Sequence, residues 1–418
     1  MRHAATVAWA GTAIAGTAIA WLVATNRGFY HADELDVLHI TAGGPWWDWA
    51  WFTDAHSLFY RPLGYAWLAA QLRAAGGDPA TTHTLSVLHH LGNTALLALV
   101  FARIGVPRRT VILAFLPTAV PAVAWAAAAY DRLALTWCCV AALLLLARRP
   151  LGLLALPAFG LALVAKEASI AFAVPAALLA WHSRRRDGAR WPITAAIAIA
   201  ILAITFAAWR ISLPVSGTEY SPTLDGVAIR LARFAAFPVA PGAVDPAAVW
   251  GWQWAGGLLG VALVAVACIG SWRLALAGLL CAAAPMAPIA ILPKVEGHYL
   301  YLTTPGLLLI CAAALRCREP LARTAAIAVL AVGIAHSLSV ATFYRTFGAA
   351  FDDLRRAHHD AGPGAFVVHG EPWLGEAVVD RLVLHTRRWS MAPAVETTTD
   401  PASAQWIVTN DGIVRRAR

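Results

Sequence analysis

Apolar residues in this chain come in long runs. Stretches of about 17–25 mostly uncharged residues recur from near the first residue to beyond position 340. The runs lie at 7–25, 83–102, 110–129, 131–147, 151–165, 168–182, 191–209, 252–270, 274–292, 299–315 and 324–343. Inside lipid a run of this kind can satisfy its backbone only as a helix. The pattern therefore predicts an all-α polytopic membrane protein of about eleven transmembrane helices. The first run follows Arg2 and ends in small residues, as a signal peptide does. Its length exceeds the usual signal core, so it is read as an uncleaved helix.

Between the runs, charge is unevenly shared. With the N-terminus in the cytoplasm, the cytoplasmic segments hold fourteen arginines: Arg2, Arg103, Arg108, Arg109, Arg148, Arg149, Arg184, Arg185, Arg186, Arg190, Arg273, Arg316, Arg318 and Arg323. Only Asp187 and Glu319 oppose them there. That bias sets the orientation, and an odd number of spans sends the C-terminus outside. Residues 1–343 form the expected membrane domain, with outer loops at 26–82 and 210–251, and 344–418 form an outer tail. In the first loop Trp46, Trp47, Trp49 and Trp51 read as headgroup anchors. The tail carries a strand-like run at 365–369 and a helical stretch near 373–384. Two further strand-like runs, 405–409 and 412–415, flank the turn signal Asn410-Asp411-Gly412. This predicts a small α/β segment.

Composition narrows the function. The chain is 60% hydrophobic and 13% charged, which excludes a set of soluble domains. Its net charge of +9 is spread between apolar spans and does not point to nucleic acid. The only lysines are Lys166 and Lys294, an Arg bias that fits a high-GC bacterial genome and hence a bacterial inner membrane. Five of the six cysteines fall in apolar runs, so no disulfide framework is implied.

A charge at the end of a lipid-embedded helix is costly and is a functional candidate. Asp33-Glu34 follows the first span, where adjacent carboxylates can raise one another's pKa and suit a general base; a solvated loop acid is the plainer alternative. Asp131 sits between two spans with almost no loop, either as a helix cap or as a functional acid. Lys166-Glu167 interrupts a long apolar stretch, either as a turn with a local ion pair or with Lys166 reaching a phosphate. Lys294 lies at the end of a neighbouring run, and Arg61 offers forked donors to headgroups or a substrate phosphate. No Walker loop, Cys/His metal cluster or nucleophile elbow is present.

The order of these motifs resembles the GT-C class of integral membrane glycosyltransferases, specifically the protein O-mannosyltransferase branch with its bacterial and TPR-bearing relatives. The acidic pair is Asp33-Glu34, and Tyr60-Arg61-Pro62-Leu63 precedes a helix. His83, His89, His90 and Asn93 mark a His/Asn-rich helix, and Val123-Ala124-Trp125 leads to Asp131. Lys166-Glu167 and Tyr299-Leu300-Tyr301-Leu302 complete the series. Ala119, Pro121, Ala129 and His298 depart from the family pattern, and TPR repeats are absent.

The resemblance implies transfer of a sugar, a mannose-like hexose or another, from a polyprenyl-phosphate carrier to an extracytoplasmic protein, lipid or glycan acceptor, with inversion. Asp33 would be the general base, with Glu34 and Asp131 supporting it or orienting the acceptor. Arg61, Lys166, Lys294 and His298 would hold the leaving phosphate, and Tyr60, His56 and Tyr301 would line the acceptor or donor. No cofactor or metal is demanded, although Asp33, Glu34 and Asp131 could hold a divalent cation. The alternatives are a transporter or flippase for a lipid-linked glycan, which would use the same cations, and an inactive membrane scaffold.

Overall fold

The computed structural model describes residues 2–30, 34–35, 37, 60–147, 151–188, 190–212, 221–240, 249, 254–293, 296–361, 366–388, 391 and 393–417. The helices are α1 (Arg2–Ala24), α2 (Pro62–Ala74), α3 (Pro79–Arg103), α4 (Val120–Ala124), α5 (Ala129–Leu145), α6 (Ala155–Ala165), α7 (Ala173–Asp187), α8 (Trp191–Ser212), α9 (Val227–Ala236), α10 (Trp254–Ala290), α11 (Thr304–Ala314) and α12 (Pro320–Asp360). Among the described residues, six segments are long and apolar enough to cross a membrane: Pro79–Arg103, Ala126–Leu145, Trp191–Ser212, Ala255–Ala290, Gly297–Ala314 and Pro320–Asp360. Trp9–Ala24 and Leu151–Ala165 are shorter apolar helices. The chain is a helical, multi-pass membrane protein.

Ten of the expected runs fall on helical segments, and the run 110–129 does not form a continuous helix. It folds as a 3-10 helix (Arg108–Phe115), the five-residue α4 and a second 3-10 turn (Ala126–Ala128). Pro117 and Pro121 remove backbone donors and break the ladder. Carbonyls freed inside a bundle need partners, and Arg132 supplies them. Its guanidinium donates to the carbonyls of Ala122, Trp125 (3.3 Å) and Ala126 (3.1 Å), and to Ser86 Oγ (2.8 Å).

Residues 254–290 of the runs 252–270 and 274–292 form one long element, α10, interrupted at Ser271, whose backbone is extended. The run 324–343 continues as a helix to Asp360. Past residue 343 its pattern turns amphipathic, and Phe347, Phe351 and Leu354 are buried at helical spacing. At 41 residues α12 is roughly 62 Å long, about twice the hydrocarbon thickness. Its far end builds the core of the tail.

That tail comprises β1 (Phe366–Gly370), α13 (Leu374–Arg388), β2 (Val395–Thr397), β3 (Trp406–Val408) and β4 (Val414–Arg416). The strand order is β2-β1-β3-β4, with β2 and β3 parallel to β1 and β4 antiparallel to β3. Val368, Val378, Leu382 and Val408 join Phe347, Phe351 and Leu354 in one apolar cluster, with Tyr30 and Leu35 packed against it. The chain leaving α1 is thereby tied to the last helix. Asn26 Nδ2 donates to the Tyr344 carbonyl (3.3 Å), and a Cβ on Gly28 would overlap the Gly348 carbonyl.

Candidate functional site

Five chain segments meet around Tyr130 and Glu167. Asp131 lies in the first turn of α5. Lys166 is the single extended residue (φ −157°, ψ 129°) between α6 and the 3-10 helix Glu167–Phe172. That extended residue sends the neighbouring Lys166 and Glu167 side chains to different partners. Arg61 precedes the Pro62 that opens α2. It is brought in because Gly64 lets α2 press closely: a Cβ there would lie 2.5 Å from the Ala165 carbonyl and from Tyr130 Cβ. Arg210 ends α8, and His298 opens the 3-10 helix Gly297–Thr303 that leads into α11.

The local Lys166–Glu167 pair, one sequence reading of this turn, is not the hydrogen-bonded arrangement. Instead the pairs cross. Lys166 Nζ lies 2.9 Å from Asp131 Oδ1 and donates to Oδ2 at 3.0 Å. Arg61 Nε donates to Glu167 Oε2 at 2.7 Å, and Arg210 Nε stands 4.0 Å from Glu167 Oε1. The Tyr130 ring is shared by both cations, with Arg61 Cζ and Lys166 Nζ each 4.6 Å from its centroid. Lys166 Nζ also lies 5.2 Å from the Tyr299 ring. Arg61, Asp131 and Lys166 are buried.

Electrostatics in this turn follow from the geometry. Burial works against the charge of Arg61, but the Glu167 carboxylate together with Tyr130 and Tyr65 outweighs it and holds the guanidinium above its ordinary value. Burial, and then the neighbouring Arg61, draw the Lys166 ammonium below its ordinary value; Asp131 pulls the other way. The four groups Arg61, Lys166, Asp131 and Glu167 sum to zero formal charge, and Arg210 adds one positive charge beside them.

His298 joins from the other side. Its Nδ1 lies 3.1 Å from Glu296 Oε2, and its ring packs against Trp125 (4.2 Å) and Tyr299 (4.3 Å), with Tyr130 at 6.5 Å. Glu34 is fully buried and accepts from the Ala127 amide at 3.3 Å, so the acidic loop meets the broken segment that carries Trp125. Tyr60 packs edge-on to Trp209 (5.0 Å), one residue before Arg210.

Tyr301 turns elsewhere. Its hydroxyl is 2.9 Å from His90 Nδ1 and accepts from Asn93 Nδ2 at 3.2 Å, inside a buried chain that continues through Thr136 to His89. The residue of that aromatic element that faces Lys166 is Tyr299. Asp33, His56, Lys294 and the four loop tryptophans lie outside the described residues.

Sequence reasoning did not single out Tyr130, Tyr299, Glu296 or Arg210. Arg210 had a readable signal, since it is a lone cation closing an apolar span. A set of buried, oppositely charged, aromatic-backed side chains at one turn can bind an anion by exchanging partners. Arg61 and Lys166 would leave their carboxylates for a phosphate, which Arg210 is placed to compensate.

No protein-family model matches the chain, and no curated protein matches it. The crystal structure of ArnT from Cupriavidus metallidurans bound to undecaprenyl phosphate is similar to this chain, with 14% sequence identity and a TM-score of 0.49 over 98% of this chain and 93% of that one. At that level of likeness neither fold nor function carries over from one chain to the other.

Proposed function

We propose that the chain is a GT-C-type glycosyltransferase that moves a sugar from a polyprenyl-phosphate carrier to an acceptor hydroxyl on the outer face of a bacterial inner membrane. The observation that carries this reading is the crossed pairing of Arg61 and Lys166 with Glu167 and Asp131 around Tyr130. Buried cations at a helix-end turn suit the phosphate of a membrane-borne donor better than a soluble nucleotide. The motif order from Asp33 to Tyr301 supports the same reading.

In this reading the carrier phosphate takes Arg61 and Lys166 from their carboxylates. The acceptor oxygen attacks the anomeric carbon, and the bond from that carbon to the phosphate oxygen breaks with inversion. The acceptor proton passes to Asp33, and the polyprenyl phosphate departs with the bonding pair. Arg61 and Lys166 stabilise the charge that grows on the phosphate. Glu34 and Asp131 support the base or the acceptor, while His298 and Lys294 complete the phosphate side.

The test is turnover by purified protein in nanodiscs supplied with a synthetic polyprenyl-phosphate sugar and a hydroxyl acceptor. Release of polyprenyl phosphate should match the glycosylated product mole for mole. Lys166→Met and Arg61→Gln should each lower kcat/KM roughly 10- to 150-fold, the loss of one charge-assisted hydrogen bond. Asp33→Asn should lower turnover about a hundredfold or more. Translocation of intact donor with no bond cleavage would replace this reading with transport.

A further inference from the structure

A cavity of about 700 Å³ opens between α3, α5, α7, α10 and α11. One end reaches Ser169 and Leu302, beside the Lys166 turn, and the other reaches Arg185, Arg273 and Arg316. Between Ser169 and Arg185 lie roughly 24 Å of helix axis, most of a hydrocarbon core. The body of the cavity is apolar. Trp272, Leu276 and Leu280 line it and are exposed on the flank of α10, so it opens sideways to the surroundings of the helices.

The chemistry of the far rim is unlike that of the body. Arg185 stacks on Trp181 (4.8 Å) and Arg273 on Trp272 (5.4 Å), the pairing of cation and indole found at a headgroup boundary. Arg316 donates to the Gly105 carbonyl at 2.9 Å. Among the described residues no carboxylate forms an ion pair with these three, whereas the adjacent Arg186 is held by Asp187 at 2.7 Å. Three guanidinium groups with no carboxylate partner among the described residues thus ring the mouth of an apolar cavity. The interruption of α10 at Ser271 lies two residues before Arg273, at that rim.

We propose that this cavity binds an anionic glycerophospholipid from the arginine-rich leaflet, with acyl chain between the helices and phosphate on Arg185, Arg273 and Arg316. Basic pockets between membrane helices suit such headgroups. The donor lipid fits less well. With its phosphate at Lys166, it would bring hydrocarbon, and no charge, to the three arginines. The bilayer beside α10 supplies the phospholipid directly, through the sideways opening.

The experiment is native mass spectrometry of the full-length, delipidated protein in mild detergent. It is titrated separately with dioleoyl phosphatidylglycerol, with dioleoyl phosphatidylcholine and with a polyprenyl phosphate. Wild type should bind phosphatidylglycerol at least about tenfold more tightly than phosphatidylcholine, whose acyl chains are the same. At about fivefold per basic residue, Arg185→Gln, Arg273→Gln and Arg316→Gln together should weaken phosphatidylglycerol binding roughly a hundredfold. Ala277→Phe fills the apolar body and should remove acyl-chain binding with all three arginines in place. Should the triple variant fail to fold, Arg316→Gln alone carries the test, with a loss of about fivefold.

Equal affinity for the two phospholipids would overturn the proposal. So would unchanged phosphatidylglycerol binding in the arginine variants, or a cavity taken by polyprenyl phosphate in preference to phospholipid with no dependence on the arginines. Since none of these readouts needs turnover, phospholipid binding without sugar transfer would refute the proposed function and leave this site standing.

Discussion

The crossed ion pairs make a quantitative prediction about which residue Lys166 answers to. Lys166→Met removes the group that holds Asp131 at 2.9–3.0 Å, and Asp131 is fully buried. Breaking a buried pair by removing one partner costs about 3–5 kcal/mol, because the other charge is left uncompensated. Exchanging both partners for uncharged residues of similar size is often neutral. Lys166→Met should therefore destabilise the protein by about 3 kcal/mol or more, and Lys166→Met with Asp131→Asn should recover most of that loss. Lys166→Met with Glu167→Gln should recover little, since the hydrogen-bonded partner of Glu167 is Arg61. The assay is unfolding by increasing SDS in mixed micelles, followed by circular dichroism, for the four-protein cycle. Turnover is read on the same samples. If Lys166 also holds phosphate, the Lys166/Asp131 double variant regains stability while its kcat/KM stays at least as low as that of Lys166→Met. Equal rescue by the Glu167 change, or a single-variant cost under about 1 kcal/mol, would refute the pairing argument.

Gly64→Val should be destabilising by about 1–3 kcal/mol and lower donor affinity in a lipid-binding assay, because its side chain would collide with the Ala165 carbonyl and Tyr130 and push Arg61 off Glu167. Asp78 caps α3 through the Thr81 amide at 2.7 Å, so Asp78→Ala should cost about 1 kcal/mol in the same unfolding assay. The Thr81 side chain and then its amide hold the Asp78 carboxyl below its ordinary value; this contribution is complete above the ordinary carboxylate range and is lost as pH falls through the lowered value, which a pH series on wild type and variant measures as converging stabilities at low pH. A reporter fused after residue 418 should be extracytoplasmic and one inserted within 184–190 cytoplasmic, as read by paired phosphatase and fluorescent-protein fusions; both on one side would contradict the arginine-based orientation.

Helix positions were legible because lipid leaves the backbone one solution, and length and hydropathy then suffice. The tail hairpin was legible too: β3 and β4 flank Asn410-Asp411-Gly412 as its turn chemistry implies. What failed had a local cause in each instance. The run 110–129 is apolar enough to span, but its prolines matter more than its hydropathy. Helix α12 outlasts the run 324–343 because residues 344–360 are amphipathic, and unbroken hydropathy ends where such a helix continues. Strand β2 is three residues long on a sheet edge, with one apolar residue in its first position and no alternation to read. At the site, residue types were legible and partnerships were not. Lys166 and Asp131 are 35 positions apart, and Arg61 and Glu167 are 106 apart. Nothing in either neighbourhood says that the adjacent Lys166 and Glu167 point to different partners; the extended backbone at Lys166 decides that. Tyr299 and Tyr301 likewise occupy one motif, and the turn of the 3-10 helix sends one to Lys166 and the other to His90.

The stitch between the two ends of the membrane domain bears on how the protein is made. Asn26 finds its acceptor on Tyr344, 318 positions later, and the Tyr30 ring rests 4.3 Å from Tyr344 and 4.9 Å from Phe347. At about 5–20 residues per second, a ribosome delivers α12 roughly 16–64 s after the chain has left α1. Throughout that interval Tyr30 and Leu35 lack the apolar cluster they pack against, while the helices that carry Asp131, Lys166 and Arg210 have already been synthesised. Packing of Tyr30 and Leu35 is thus a terminal event of biogenesis, completed only when the last helix and the tail arrive. A chain truncated before α12 would insert most of its spans and still lack the partners of Asn26, Tyr30 and Leu35.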